Sequence, residues 1–149
     1  MAELTIRKME LADISQVVSV EIASFSSPWH AEIFNQELTE NQHAHYFILE
    51  INKKIIGYVG MWVVLDDAQI TNIAILPGYR GNKLGEKLFR FALQQAVKMG
   101  VSRLSLEVRT SNIVAQKMYR KFGLVPGGIR KNYYTDNNED AVVMWVNIE

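Results

Sequence analysis

The stretch Ile73-Ala74-Ile75-Leu76-Pro77-Gly78-Tyr79-Arg80-Gly81-Asn82-Lys83-Leu84-Gly85 passes from an apolar run through a Pro/Gly turn into the start of a helix. Upstream, Ala68–Ile75 reads as a strand. Downstream, Leu84, Leu88, Phe91, Ala92, Ala96 and Met99 recur on one broad helical face until Gly100, a predicted C-cap. Arg103–Val108 then alternates, with Leu104, Leu106 and Val108 on one side and Ser105, Glu107 and Arg109 on the other. A strand–helix–strand unit of this kind predicts one parallel pair. The first N–H groups of a helix lack internal partners and sit at its positive end, so they favour phosphate. Gly81 permits close backbone approach, and Arg80 and Lys83 add charge. The stretch lacks the Gly-Lys-Ser/Thr ending of a P-loop and the Gly-x-Gly-x-x-Gly spacing of a dinucleotide fold. From these residues alone it is a phosphate cradle or a plain turn.

Outward from this unit, Leu4–Lys8 predicts a first strand. Leu11, Ile14, Val18, Ile22 and Phe25 keep helical spacing up to the Ser26-Ser27-Pro28 break. A short helix covers about Ala31–Thr39. Ala44–Ile51 and Ile55–Leu65 form a hairpin around Asn52-Lys53-Lys54. Asn112 caps a helix that runs to Lys121 and closes at Gly123. Strands near Gly128–Tyr134 and Ala141–Ile148 flank Asp136-Asn137-Asn138. The predicted order is βαα-βββ-α-β-α-ββ, a mixed sheet with helices on its faces.

The 149 residues suit one domain, residues 1–149, and no apolar run approaches the length of a membrane span. The beginning of the chain carries acidic residues where a signal peptide is basic and then apolar, so a cytoplasmic location with no membrane partner is expected. Cysteine is absent, which excludes disulfides, thiolate zinc sites and a cysteine nucleophile. The net charge of zero conceals a split: residues 1–74 hold 4 Lys/Arg against 10 Asp/Glu, and residues 75–149 hold 12 against 6. Such a split fits a polyanionic ligand on one side and a cationic substrate on the other, or scattered solvated charge. His43 and His45 read as sharing a strand face, but no third ligand is placed nearby and no metal is expected.

The Arg80–Gly85 turn resembles the acetyl-CoA pyrophosphate loop of the GNAT superfamily, Arg/Gln-x-x-Gly-x-Gly/Ala. Arg80, Leu84 and Gly85 fit, while Lys83 stands at the first motif glycine. A lysine there is without cost if position 83 is already helical, and disfavoured if the backbone needs positive φ. Leu106-Glu107-Val108-Arg109, Ser111-Asn112 and Met118-Tyr119 are similar to the segment after the cofactor helix of protein N-terminal acetyltransferases. Arg130-Lys131-Asn132-Tyr133-Tyr134 with Glu139-Asp140-Ala141 resembles their final hairpin, and Ser24-Phe25 with Pro28-Trp29 their first inter-helix loop. Together these resemble the bacterial RimI-type branch, which acetylates the N-terminal alanine of a small-subunit ribosomal protein.

The resemblance implies the GNAT fold: α+β, with a mixed, mostly antiparallel seven-stranded sheet, one splayed parallel pair and flanking helices. It implies acetyl-CoA as co-substrate, held by Ile73, Ala74, Ile75, Arg80, Gly81, Asn82, Lys83, Leu84, Gly85, Glu86 and Asn112. The main chain of Ile73, Ala74 and Ile75 would face the acetyl and pantetheine groups. Glu107 by its pattern is a solvent-facing glutamate; the resemblance makes it the base, directly or through water. Tyr119 by its pattern packs in the core; the resemblance makes it the acid that protonates the departing thiolate. Phe25, Trp29, Tyr133 and Tyr134 would line the mouth for the substrate's first residues, or simply pack beside turns. The implied partner is a protein N-terminus, with no direct nucleic-acid binding. Rival readings are a relative acting on a small amine or a lysine side chain, and a non-catalytic acetyl-CoA sensor or basic nucleic-acid module.

Overall fold

The computed structural model describes residues 3–148. The chain runs β1 (Leu4–Lys8), α1 (Ile14–Ser24), α2 (Ala31–Thr39), β2 (Ala44–Ile51), β3 (Lys54–Val64), β4 (Asp67–Ile75), α3 (Leu84–Lys98), β5 (Arg103–Arg109), α4 (Ile113–Lys121), β6 (Val125–Tyr134) and β7 (Glu139–Asn147). The seven strands form one open sheet in the order β1-β2-β3-β4-β5-β7-β6. Among the described residues only β4 and β5 pair in parallel. The predicted order and fold class hold, with local shifts. Asn52 and Lys53 both take positive φ, 51° and 69°, the backbone of a two-residue hairpin turn, so Lys54 already belongs to β3. β6 begins at Val125 rather than Gly128, and β7 at Glu139 rather than Ala141.

The two faces of the sheet bury different helices. On one, α3 and Tyr119 of α4 pack on Leu49, Val59, Met61, Leu104 and Leu106. On the other, Val17 and Val20 of α1 and Phe34 of α2 pack on Tyr46, Ile48 and Tyr58. Each fully buried side chain of this size contributes roughly 1.5–3 kcal/mol. The alternation in β5 appears as expected: Leu104, Leu106 and Val108 are buried, and the residues between them are partly open.

Two helix faces differ from their predicted stripes. In α1 the buried residues are Val17, Val20 and Glu21, whereas Ile22 is exposed, and Leu11 falls outside the helix, exposed in the 3₁₀ turn before it. The reason is Glu21, whose carboxylate accepts the Tyr58 hydroxyl and the Trp29 N–H at 2.9 Å. With both oxygens bonded, a charged residue occupies a core position and the helix turns its face accordingly. In α3, Phe89 is fully buried while Phe91 is only partly so and Met99 is exposed. Phe89 stacks 5.0 Å from both Tyr119 and Phe122, so the neighbouring α4 widens the buried arc of α3.

The parallel pair opens almost at once. β4 and β5 are in register only at Asp67–Arg103, Ala68–Leu104 and Gln69–Ser105. Beyond Gln69, β4 carries an extra residue: Met61 pairs with Ile70 and Gly60 with Asn72, leaving Thr71 as a bulge. The bulge resets the side-chain parity, so Ala68 and Ile70 before it, and Ile73 and Ile75 after it, join the same core. Gly60 is required opposite it, since a Cβ there would lie 2.4 Å from the Tyr46 ring and 2.7 Å from the Thr71 hydroxyl.

Candidate active site

The splay between β4 and β5 exposes one backbone edge of β4. The Leu76 N–H bonds to the Ile56 carbonyl on β3, so by strand alternation Ala74 also turns its main chain to β3. Ile73 and Ile75 turn theirs into the splay, and the Ile75 carbonyl there accepts the Arg80 Nε–H at 3.0 Å. The expectation of three consecutive main-chain contacts is therefore corrected: Ala74 lines the cleft without offering its peptide groups to it. Arg80, expected as free charge, also ties the turn to the end of β4.

After a single turn of 3₁₀ helix at Pro77–Tyr79, Gly81 takes φ +88° and Lys83 takes φ +60° and ψ 22°, immediately before α3. Position 83 is thus not helical. It holds the left-handed conformation that favours glycine, and the condition under which a lysine there costs nothing is not met. These two reversals turn the chain so that the free N–H groups of α3 open on a cavity of about 900 Å³. Arg80, Gly81, Lys83, Leu84, Gly85 and Glu86 line it; Asn82, between the two reversals, is exposed and does not. Ala74 and Ile75 line it too. Two lysines that the sequence reading missed, Lys117 and Lys121, face it from α4. Their spacing along the Asn112-capped helix was the available signal. Lys121 pairs with Glu86 at 3.2 Å, which lowers the Glu86 pKa and offsets the one carboxylate in this basic rim.

A second cavity, of about 390 Å³, lies on the α1 side of the splay. Phe25, Trp29, Tyr133 and Tyr134 all line it, so residues from two distant segments meet there. Trp29 is fixed through its N–H to Glu21, and burial pushes the Tyr134 hydroxyl up to about 12. Glu107 faces the same cavity with its side chain 10% exposed. Gln69 donates to one Glu107 oxygen at 3.1 Å, and Arg130 approaches the other at 3.2 Å. Also missed from sequence were Glu21, Asp136 and Arg109. Arg109 pairs with Asp136 at 2.8 Å and Glu139 at 3.2 Å and stacks 4.0 Å from the Tyr134 ring, which orders the β6–β7 turn. Asp136 also accepts the Ser26 hydroxyl, linking that turn to the α1–α2 loop.

The two cavities share one wall made of Phe25, Ile73, Arg109, Asn112 and Tyr119. Asn112 accepts the Ala115 N–H at 3.1 Å as the cap of α4 and still faces both cavities. Tyr119 follows on the same side of the helix. It belongs to the core through Phe89, and burial raises its pKa, so the hydroxyl keeps its proton near neutrality. Tyr119 is thus both a core residue and part of the lining of the two cavities. His43 sits in the turn before β2, not on a strand face with His45, and among the described residues no cluster of three or more metal-ligating side chains occurs.

Residues 14–124 match the Acetyltransferase (GNAT) family. A Bacillus subtilis protein with the provisional name ribosomal protein bS18-alanine N-acetyltransferase is 57% identical over 96% of this chain and 95% of its own length. The Escherichia coli K12 protein named ribosomal protein bS18-alanine N-acetyltransferase is 36% identical over 94% of this chain and 95% of its own. A crystal structure of the E. coli ribosomal-protein-S18-alanine N-acetyltransferase superposes with a TM-score of 0.91 at 34% identity, covering 99% of this chain and 95% of that one.

Proposed function

The chain belongs to the GNAT acetyltransferase family, and from that premise we propose that it transfers an acetyl group from acetyl-CoA to the N-terminal α-amine of a protein, the N-terminal alanine of ribosomal protein bS18. The observation that carries this reading is the shared wall between the two cavities. One cavity has the basic rim and helix N-terminus suited to a pyrophosphate; the other has three carboxylates, Glu107 among them, and five aromatic residues, suited to an amine on an extended peptide. In this proposal the reaction takes place in the cytoplasm; separately, among the described residues no helix is long and apolar enough to cross a membrane.

Acetyl-CoA supplies the acyl group as a thioester, and the residues of the chain do the rest. Lys83, Lys117 and the first N–H groups of α3 would hold its phosphates. The free peptide edge at Ile73 would polarise the thioester carbonyl. An α-amine has a pKa of about 7.7–8.0 and is mostly ammonium at pH 7. Glu107 would take its proton, directly or through water, and free the lone pair for attack. Tyr119 would give its own proton to the sulfur as the C–S bond breaks. Groups placed in this way typically contribute about 10²–10⁴-fold each.

The test is a peptide panel with thiol release as the readout. Peptides beginning with alanine should turn over, and the same peptides with a blocked α-amine and an internal lysine should not. Comparable rates on the blocked peptides would make the enzyme a side-chain acetyltransferase. Faster turnover of small free amines would assign it to the other rival class.

A further inference from the structure

The Glu107 carboxylate is held on both sides by groups that the reaction scheme leaves without a task. Gln69 is the last residue of β4 in register with β5, paired with Ser105. Ser105 and Glu107 lie on the same strand face, so the amide of Gln69 reaches along the opening splay to Glu107, with its Nε2 at 3.1 Å from Oε2 and 3.5 Å from Oε1. Gln69 is itself half-buried, and its backbone is anchored in the only parallel register of the sheet. From the other side comes Arg130 of the edge strand β6, with its Nε at 3.2 Å from Oε1 and its side chain 57% exposed. Tyr133 and Tyr134 stand near the same carboxylate on β6; Glu21, Asp136 and Arg109 face the cavity from α1, the β6–β7 turn and β5.

We propose that Gln69 is the positioning residue for Glu107, fixing the direction of its carboxylate, and that Arg130 is a resident counter-ion displaced by the substrate's ammonium. This rests on the reading of Glu107 as the base. The two partners are chemically unequal. A neutral amide orients a carboxylate without cancelling its charge, and Gln69 is anchored well enough to stay while the proton moves. The Arg130 guanidinium, more than half exposed on an edge strand and paired with Glu107 through a single contact, keeps most of its hydration and can swing back into water when it leaves the carboxylate. Arg130 therefore occupies the place of a cation until an ammonium takes it, and Gln69 keeps the proton-accepting oxygen facing the cavity throughout.

A double-mutant cycle tests this with an alanine-first peptide and saturating acetyl-CoA. Gln69→Leu should lower kcat about tenfold, the loss expected for one hydrogen bond to a charged group, with KM for both substrates within about twofold. In a Glu107→Gln background the same change should have no further effect, because no carboxylate remains to be positioned. Gln69→Asn, polar but too short to reach, should behave like the leucine variant and guards against a folding artefact. Arg130→Gln should tighten peptide KM about two- to fivefold with kcat nearly unchanged, and this difference should vanish at high salt. An unimpaired Glu107→Gln enzyme would remove the base reading and this proposal with it. An impaired Glu107→Gln enzyme with a silent or additive Gln69→Leu would overturn the positioning role alone. A weaker peptide KM in Arg130→Gln would overturn the displaced counter-ion.

Discussion

Lys83 occupies φ +60° and ψ 22°, a conformation that costs an L-residue roughly 1–2 kcal/mol relative to right-handed backbone. Glycine would relieve the clash, although its greater freedom in the unfolded chain offsets part of the gain. The side chain that enforces the strain lines the larger cavity beside Lys117 and Lys121, where positive charge favours a polyphosphate. Lys83→Gly should therefore separate stability from binding. Its Tm should stay level or rise, while acetyl-CoA affinity falls about three- to tenfold and the dependence of Kd on salt becomes shallower. Calorimetry at two or three salt concentrations measures both quantities. A lower Tm with unchanged affinity would mean that the lysine serves the fold of the turn and not the ligand. The resemblance to the family's loop marked residue 83 as a departure from its first glycine. It did not show the sign of φ, because that depends on how far beyond Gly81 the first helical turn begins.

Among the elements, β4 does the most to build the site, through its bulge at Thr71 and its early divergence from β5. Without the extra residue, Ile73 and Ile75 would exchange faces with Asn72 and Ala74, and the free peptide edge would move with them. Gly60→Ala tests this element directly. The added methyl would meet the Tyr46 ring and the Thr71 hydroxyl, and Tyr46 is fully buried against the α2 face of the core. Overpacking of this kind costs about 1–3 kcal/mol, to be read from urea unfolding, and acetyl-CoA binding should weaken alongside it. Full stability in Gly60→Ala would show that the bulge yields freely and does not set the register. The alternating residues of β5 were legible in the sequence because one face of that strand is fully buried and its hydrogen-bonding ladder is regular. The bulge was not legible, since it arises from a contact between Gly60, Tyr46 and Thr71 on three strands. The buried face of α1 was missed for a related reason: Glu21 reads as polar until Tyr58 and the Trp29 N–H supply its partners.

On the scale of the molecule, the charge split along the chain maps only partly onto the two cavities. Arg80, Lys83, Lys117 and Lys121, all from the basic half, do gather on the larger one. The smaller cavity draws its carboxylates from both halves, Glu21 from the first and Glu107 and Asp136 from the second, because α1 meets β5 and the β6–β7 turn there, across the junction of β4 and β5. The acidic groups pull the stability in opposite directions as pH changes. Hydrogen bonds from Ser111, with the Arg109 guanidinium in support, hold Glu139 down to about 2, and the bond from Arg7 lowers Asp13. Their contribution is present above the unfolded values near 4 and is lost as pH falls through the folded ones. Glu21 is opposite in sign: burial raises its pKa above the ordinary 4.5 against the bonds from Tyr58 and Trp29. Its folded form takes up a proton more readily than the unfolded chain, so its contribution is full at low pH and is lost as pH rises above about 4.5 through the folded value. Stability should therefore peak on the mildly acidic side, falling toward neutrality through Glu21 and more steeply below about pH 4 through Asp13 and Glu139. Glu21→Gln, which keeps the shape of the side chain but cannot ionise, should flatten the limb toward neutrality and leave the acid limb in place. Urea unfolding of both proteins from pH 3 to pH 8 gives the two slopes, and identical neutral limbs would mean that the buried carboxylate is stabilised by its two bonds as fully as it would be by water.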